Sequence, residues 1–151
     1  MFSIRRCVSV FRNRLSISQV RNNSMFYTKT HETITLIDHN VIKIGISNYA
    51  KEKMGDIVYI DIEDIDESYK TGDALCIIES VKAVSEINSL YDGTIIEHNT
   101  KLVDNIDDLD AIDESISSWI LKYKINEKNV DISGSLMNSI EYKKYIGDID
   151  K

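Results

Sequence analysis

The stretch from Ala74 to Leu90 constrains the fold of this chain more than any other. Ala74-Leu75-Cys76-Ile77-Ile78 is apolar and rich in strand formers. Val84 to Leu90 alternates loosely and runs into Asp92-Gly93, a turn signal. Between the two runs stands Glu79-Ser80-Val81-Lys82-Ala83-Val84-Ser85, one lysine flanked by acids at Glu79 and Glu86. Strands this short and this close pair as a tight hairpin, with Lys82 at its tip. An exposed lysine is protonated at neutral pH, so it is neither base nor nucleophile until an enzyme acylates it. A hairpin tip also lacks the desolvated pocket that a Schiff-base lysine needs. The residue suits a covalent handle.

The rest of the chain is punctuated the same way. It has no proline, so its turns must use Gly, Asn and Asp. Thr33 to Ile37 and Val41 to Ile46 read as strands around an Asp38-His39-Asn40 turn. Ser47 offers an N-cap oxygen to a helix over Asn48 to Met54, and Gly55 sits where a C′ glycine would end it. Ile57 to Ile62 is a strand, Glu63 to Tyr69 an acidic connector, and Lys70-Thr71-Gly72-Asp73 a tight turn into the lysine hairpin. Thr94 to Ile96 and Trp119 to Ile125 are further strands, with Trp119 expected in the core. Lys101 to Ser118 reads as a loop with one short helix. Ser135 to Ile146 reads as a helix with Leu136 and Ile140 on one side. Many short strands and a few small helices predict a mainly β protein, a compact sandwich or barrel with helices at its periphery.

Charge divides the chain. Residues 1–30 hold Arg5, Arg6, Arg12, Arg14, Arg21 and Lys29 and no acid, which leaves −13 for residues 31–151 of a chain whose total is −7. An Arg-rich, Ser/Asn-rich, acid-free leader fits a mitochondrial transit peptide over residues 1–24, with a domain over 25–151 and the matrix as its compartment. The alternative, a basic arm for nucleic acid, sits badly with an acidic body that repels phosphate. No apolar run approaches the roughly 20 residues that span a bilayer. Cys7 falls in the leader and Cys76 is then alone, which permits a reducing compartment and excludes an internal disulfide. His31, His39 and His98 lack ligand spacing, so no metal site is expected. The acids from Asp104 to Asp110 lack the glycine and closing glutamate of a calcium loop. Gly-rich phosphate cradles and Gly-x-Ser-x-Gly are missing.

Glu79-Ser80-Val81-Lys82-Ala83 resembles the segment on which the glycine cleavage system H proteins carry lipoic acid, in amide linkage to the lysine. Biotin carriers usually place Met on both sides of the lysine, and lipoyl domains of the 2-oxoacid dehydrogenases usually show Asp-Lys-Ala; here Val81 and Ala83 flank Lys82. The resemblance runs from Tyr27 onward, through Ile44-Gly45-Ile46-Ser47-Asn48-Tyr49-Ala50, Met54-Gly55-Asp56-Ile57-Val58-Tyr59-Ile60, Trp119-Ile120-Leu121-Lys122 and Glu141-Tyr142-Lys143-Lys144-Tyr145. It departs at Thr33, where the family has Trp after His31-Glu32, at Leu90, where it tends to have Pro, and at Ser118, where it has Gly.

The resemblance implies a lipoyl/biotinyl-type barrel-sandwich hybrid and a monomeric, non-catalytic carrier with no nucleic-acid or membrane partner. It implies lipoic acid on Lys82, presented by Glu79, Ser80, Val81 and Ala83. It implies a cleft in which Thr30, Glu32 and Glu86 meet the ammonium of the loaded arm. The implied partners are a glycine decarboxylase, a tetrahydrofolate-dependent aminomethyltransferase, a dihydrolipoamide dehydrogenase, and a lipoate ligase or lipoyltransferase. Two other readings remain: a lipoyl relay donor for modification of other proteins, and an unmodified β-sandwich that acts as an interaction module.

Overall fold

The computed structural model describes residues 24–104, 119–127 and 132–150. Its strands are β1 (Met25–Tyr27), β2 (Glu32–Asp38), β3 (Val41–Ile46), β4 (Ile57–Ile62), β5 (Ser68–Tyr69), β6 (Ala74–Ser80), β7 (Val84–Asn88), β8 (Gly93–His98) and β9 (Leu121–Ile125). Its helices are α1 (Asn48–Met54), α2 (Thr100–Asp104) and α3 (Ser139–Ile149), with a 3-10 turn at Ile132–Gly134. The proposed leader, apart from Ser24, and the acidic run from 105 onward lie outside the described residues.

The strands form two antiparallel sheets, one ordered β1-β2-β3-β9-β8-β5 and the other β4-β6-β7. The mainly β expectation therefore holds. One apolar cluster draws on both sheets: Ile34, Leu36, Ile42, Ile44, Ile95, Leu121 and Ile125 from the first, Ile60, Leu75, Ile78 and Ile87 from the second. Alternation produces this. Ile34, Leu36, Ile42 and Ile44 point inward every second residue, and each fully buried Leu or Ile contributes about 1.5–3 kcal/mol.

The helix ends follow their sequence signals. Ser47 Oγ accepts the Ala50 N–H at 3.2 Å, and Gly55 closes α1 at φ 76°, with its N–H on the Lys51 carbonyl at 2.9 Å. Asn138 and Glu141 cap α3 reciprocally, Asn138 Oδ1 accepting from Ile140 and Glu141 and Glu141 Oε2 accepting from the Asn138 N–H.

Three expectations need correction. Trp119 is only half-buried, and the Lys43 and Lys122 ammonium groups sit 5.5 and 4.9 Å from its ring centroid. The indole, just ahead of β9, is a platform for the cross-strand pair Lys43 and Lys122, not core. The last helix begins at Ser139, so Leu136 is buried ahead of it, while Ile140 is 80% exposed and Tyr142 is the residue α3 buries. Tyr142 displaces Ile140 because it can stack on Tyr27 and hydrogen-bond beyond it. Finally, the acidic connector contributes β5, which pairs with β8 through Ser68↔Thr94 and Tyr69↔Gly93.

Candidate functional site

The lysine hairpin is anchored from below. β6 and β7 pair as Ile78↔Ser85 and Glu79↔Val84, and Leu75, Cys76, Ile78 and Ile87 root them in the core. Above Glu79 the chain turns through Ser80, Val81, Lys82 and Ala83, and the Ser80 N–H donates to the Ala83 carbonyl at 2.8 Å. Tight hairpins favour turns whose central residues have positive φ, because those match the strand twist. Neither Val81 nor Lys82 has positive φ. The Ser80 hydroxyl supplies what the turn lacks. It accepts the Lys82 and Ala83 N–H groups at 3.2 and 3.0 Å and donates to the Ala83 carbonyl at 3.0 Å.

A second clamp comes from the segment just past α1. The Val81 N–H donates to the Asp56 carbonyl at 3.0 Å. A Cβ placed on Gly55 would lie 3.3 Å from Lys82 Cε and 3.4 Å from Nζ, so the end of the lysine side chain rests in a shallow notch over Gly55, whose φ of 76° is what favours glycine there. Lys82 is exposed, and among the described residues none of the ion pairs takes its ammonium group. Its neighbours in the hairpin are Val81 and Val84, 63% and 67% exposed, and the exposed Glu79; the exposed Glu86 stands two rungs further down β7. The amine is held on a rigid support and open to a modifying enzyme.

The other candidates divide. Thr30 and Glu32 meet: Thr30 Oγ donates to Glu32 Oε2 at 2.7 Å, and Thr28 Oγ donates to the same oxygen. Glu32 is buried, 8% exposed. Its Oε1 takes no hydrogen bond among the described residues, and it is not sealed from solvent either. Glu86 lies on β7 opposite Ile77, exposed, with no hydrogen bond or ion pair to Thr30 or Glu32. Sequence reasoning missed Thr28, whose hydroxyl also accepts the Glu32 N–H at 2.9 Å. It missed the notch at Gly55, reading that glycine only as a helix stop.

His31, between Thr30 and Glu32, has φ 75°, unusual for a non-glycine residue. Its Nδ1 is 2.9 Å from Tyr142 Oη, and its carbonyl accepts the Ser47 N–H at 2.9 Å. Partial burial lowers its pKa, against the opposing pull of the Glu32 charge. Cys76, 1% exposed, has its thiol pushed up to about 12 by burial, with the Asp61 charge adding to the effect. It is a packing residue and not a nucleophile. Among the described residues no group of His, Cys, Asp and Glu could hold a metal, and no helix is long and apolar enough to cross a membrane.

Residues 25–149 match the family described as glycine cleavage H-protein. The chain belongs to that family. It is therefore a carrier subunit of the glycine cleavage system and not itself a catalyst. A probable H protein of Thermococcus gammatolerans is 34% identical over 122 residues, which make up 81% of this chain and 89% of the relative. A probable H protein of Picrophilus torridus is 36% identical over 132 residues, 87% of this chain and 100% of the relative. The crystal structure of an H protein from Mycobacterium marinum shares the fold at a TM-score of 0.67, with 23% identity, covering 87% of this chain and 100% of that one. The family match leaves residues 1–24 outside it.

Proposed function

We propose that Lys82 carries lipoic acid in amide linkage and that this chain is the lipoyl shuttle between the enzymes of glycine cleavage. One observation carries the reading: a single exposed amine, clamped by Ser80 and Asp56 at the tip of a core-rooted hairpin, in a chain of the H-protein family. When bound, the lipoyl group supplies a disulfide that accepts the aminomethyl cargo and a dithiol that is later reoxidised.

The chain's own residues present, aim and shelter that group. Ser80 fixes the tip, and the Gly55 notch steadies the lysine stem. The helix α1 measures the distance to a resting place. Its C-terminal end touches Lys82 through Gly55, and its N-terminal end is bonded to the 28–32 turn through Ser47 and His31. Its seven residues span about 10 Å at 1.5 Å each. A lipoyl-lysine arm reaches on the order of 14 Å, so the turn bearing Thr30 and Glu32 is within range. There the open Glu32 Oε1 is suited to accept a charge-assisted hydrogen bond from an ammonium group. Burial beside it would slow hydrolysis of the cargo. Glu86, four residues beyond Lys82, adds negative charge on the hairpin itself.

The specific partners follow from this reading: glycine decarboxylase, the aminomethyltransferase, dihydrolipoamide dehydrogenase and a lipoate ligase or lipoyltransferase. The composition of residues 1–24 supports delivery to the mitochondrial matrix. Thr33, buried where the family has Trp, favours keeping a second reading, that the lipoyl group is passed on to other proteins. Lipoylated protein given glycine decarboxylase separates the two. Glycine-dependent exchange of carbon dioxide supports the shuttle; no exchange, with transfer of the lipoyl group to another lipoyl domain, supports the relay.

A further inference from the structure

We propose that Tyr142 of the C-terminal helix is a positioning residue for the 28–32 turn: it locks the geometry in which Thr30 and Glu32 are presented. The functional half of this inference rests on the reading that Glu32 meets the ammonium of the cargo.

The turn is not self-sufficient. His31 sits at φ 75°, and residues held there persist only when their surroundings fix them. The turn's own backbone bonds, Thr28 N–H to the Glu32 carbonyl at 3.0 Å and His31 N–H to the Thr28 carbonyl at 3.3 Å, do not engage the His31 ring. The ring is fixed from outside. Tyr142 Oη lies 2.9 Å from His31 Nδ1 and 2.7 Å from Ser47 Oγ, so one hydroxyl ties the turn to the N-cap of α1. Ser47 is fully buried and Tyr142 is 3% exposed, so little water can replace this bond. The Tyr142 ring stacks on Tyr27 at 4.2 Å with 6° between planes, which fixes where the hydroxyl points. Tyr145, one helical turn on, packs near the His31 ring at 6.0 Å and donates from its hydroxyl to the Lys29 carbonyl at 3.2 Å. Helix α3 therefore grips the turn on both sides of Thr30. Its far end is tied to α1 by Asp150, which accepts from Lys53 at 2.9 Å and from Tyr49 at 3.0 Å. Among the described residues the hydrogen bonds to the Glu32 carboxylate come from Thr28 and Thr30, so Tyr142 acts on it through the turn.

Tyr142→Phe keeps the stacked ring and removes the hydroxyl. In the protein without lipoate, residue-resolved hydrogen exchange should speed up at the Thr28, His31 and Glu32 amides. The expected factor is roughly 2- to 10-fold, as for loss of one buried hydrogen bond. Exchange at the core amides of Ile78 and Leu121 should not change. Tyr145→Phe, which loses a more exposed contact, should loosen the same amides less. In lipoylated, glycine-loaded protein, Tyr142→Phe should shorten the half-life of the cargo by a similar factor, read as ammonia release. Unchanged exchange in the turn overturns the proposal, as does an equal rise at Ile78 and Leu121, which would signal only a weaker fold. Glu32→Gln, run alongside, separates the two levels of the argument. A shortened half-life there but not in Tyr142→Phe overturns the positioning role alone. An unchanged half-life in Glu32→Gln overturns the ammonium reading, and with it the functional half of the proposal.

Discussion

Ser80→Ala tests the clamp on the lysine tip. The hydroxyl makes three hydrogen bonds within the turn, at 3.2, 3.0 and 3.0 Å. Sealed from water, each would be worth about 1 kcal/mol. The tip is open, and water can replace the lost partners, so their joint contribution to stability is about 1 kcal/mol and not three times that. In a domain of this size the melting temperature should fall by about 4 °C. The larger effect should fall on modification. Without the hydroxyl the tip regains part of its backbone freedom, worth about 1–2 kcal/mol in all when ordered again, because the Ser80–Ala83 and Val81–Asp56 backbone bonds remain. A lipoate ligase that must order them should show kcat/KM for the apoprotein lowered roughly 10-fold. Ser80→Thr keeps the hydroxyl and should stay close to the parent. The assay is intact mass against time with purified ligase, alongside a thermal melt. An Ala variant that melts and is lipoylated like the parent would refute the reasoning that Ser80 holds the tip.

Other consequences can be measured directly. Gly93→Ala should lower the urea midpoint by an amount equivalent to about 1–3 kcal/mol, because its Cβ would lie 2.5 Å from Tyr123 Cε1 and closer still to the Lys124 carbonyl; an unchanged midpoint would contradict that packing. Cys76 makes stability depend on alkaline pH. Its folded pKa is raised from 9.0 to about 12, so between those values the unfolded thiol ionises while the folded one keeps its proton, and stability falls with rising pH by as much as about 1.4 kcal/mol per unit. Below that window the group contributes no slope, and Cys76→Ala should flatten the fall; a slope that survives the substitution assigns it elsewhere. The −13 carried by residues 31–151 predicts that productive encounter with the partner enzymes slows as salt rises. Rates independent of ionic strength would remove electrostatic steering from the account.

Local signals were legible where local physics decides the outcome. β3 at Val41–Ile46, β4 at Ile57–Ile62 and α1 at Asn48–Met54 fall where alternation, the Ser47 cap and the Gly55 stop placed them. Lys82 at a hairpin tip was legible for the same reason: two apolar runs that close together leave the chain between them little choice. What depends on partners distant in sequence was not legible. Trp119 looked like core because indoles usually bury, but Lys43 and Lys122 meet it only through the pairing of β3 with β9. Tyr142 outranks Ile140 as the buried face of α3 because Tyr27, His31 and Ser47 wait there, between 95 and 115 residues away in sequence. The Glu32 cradle followed the same division. Thr30 and Glu32 were candidates through the family resemblance, whereas Thr28 is found only once the turn is folded.

The central claim is that Lys82 is a covalent handle, and mass tests it most directly. Protein isolated from its own source and digested to the peptide containing Lys82 should carry about 188 Da on that lysine, the mass of lipoic acid less water. The Lys82→Arg variant should fold alike and lack the addition. An unmodified Lys82 in cells that contain lipoate and its ligase would contradict the account.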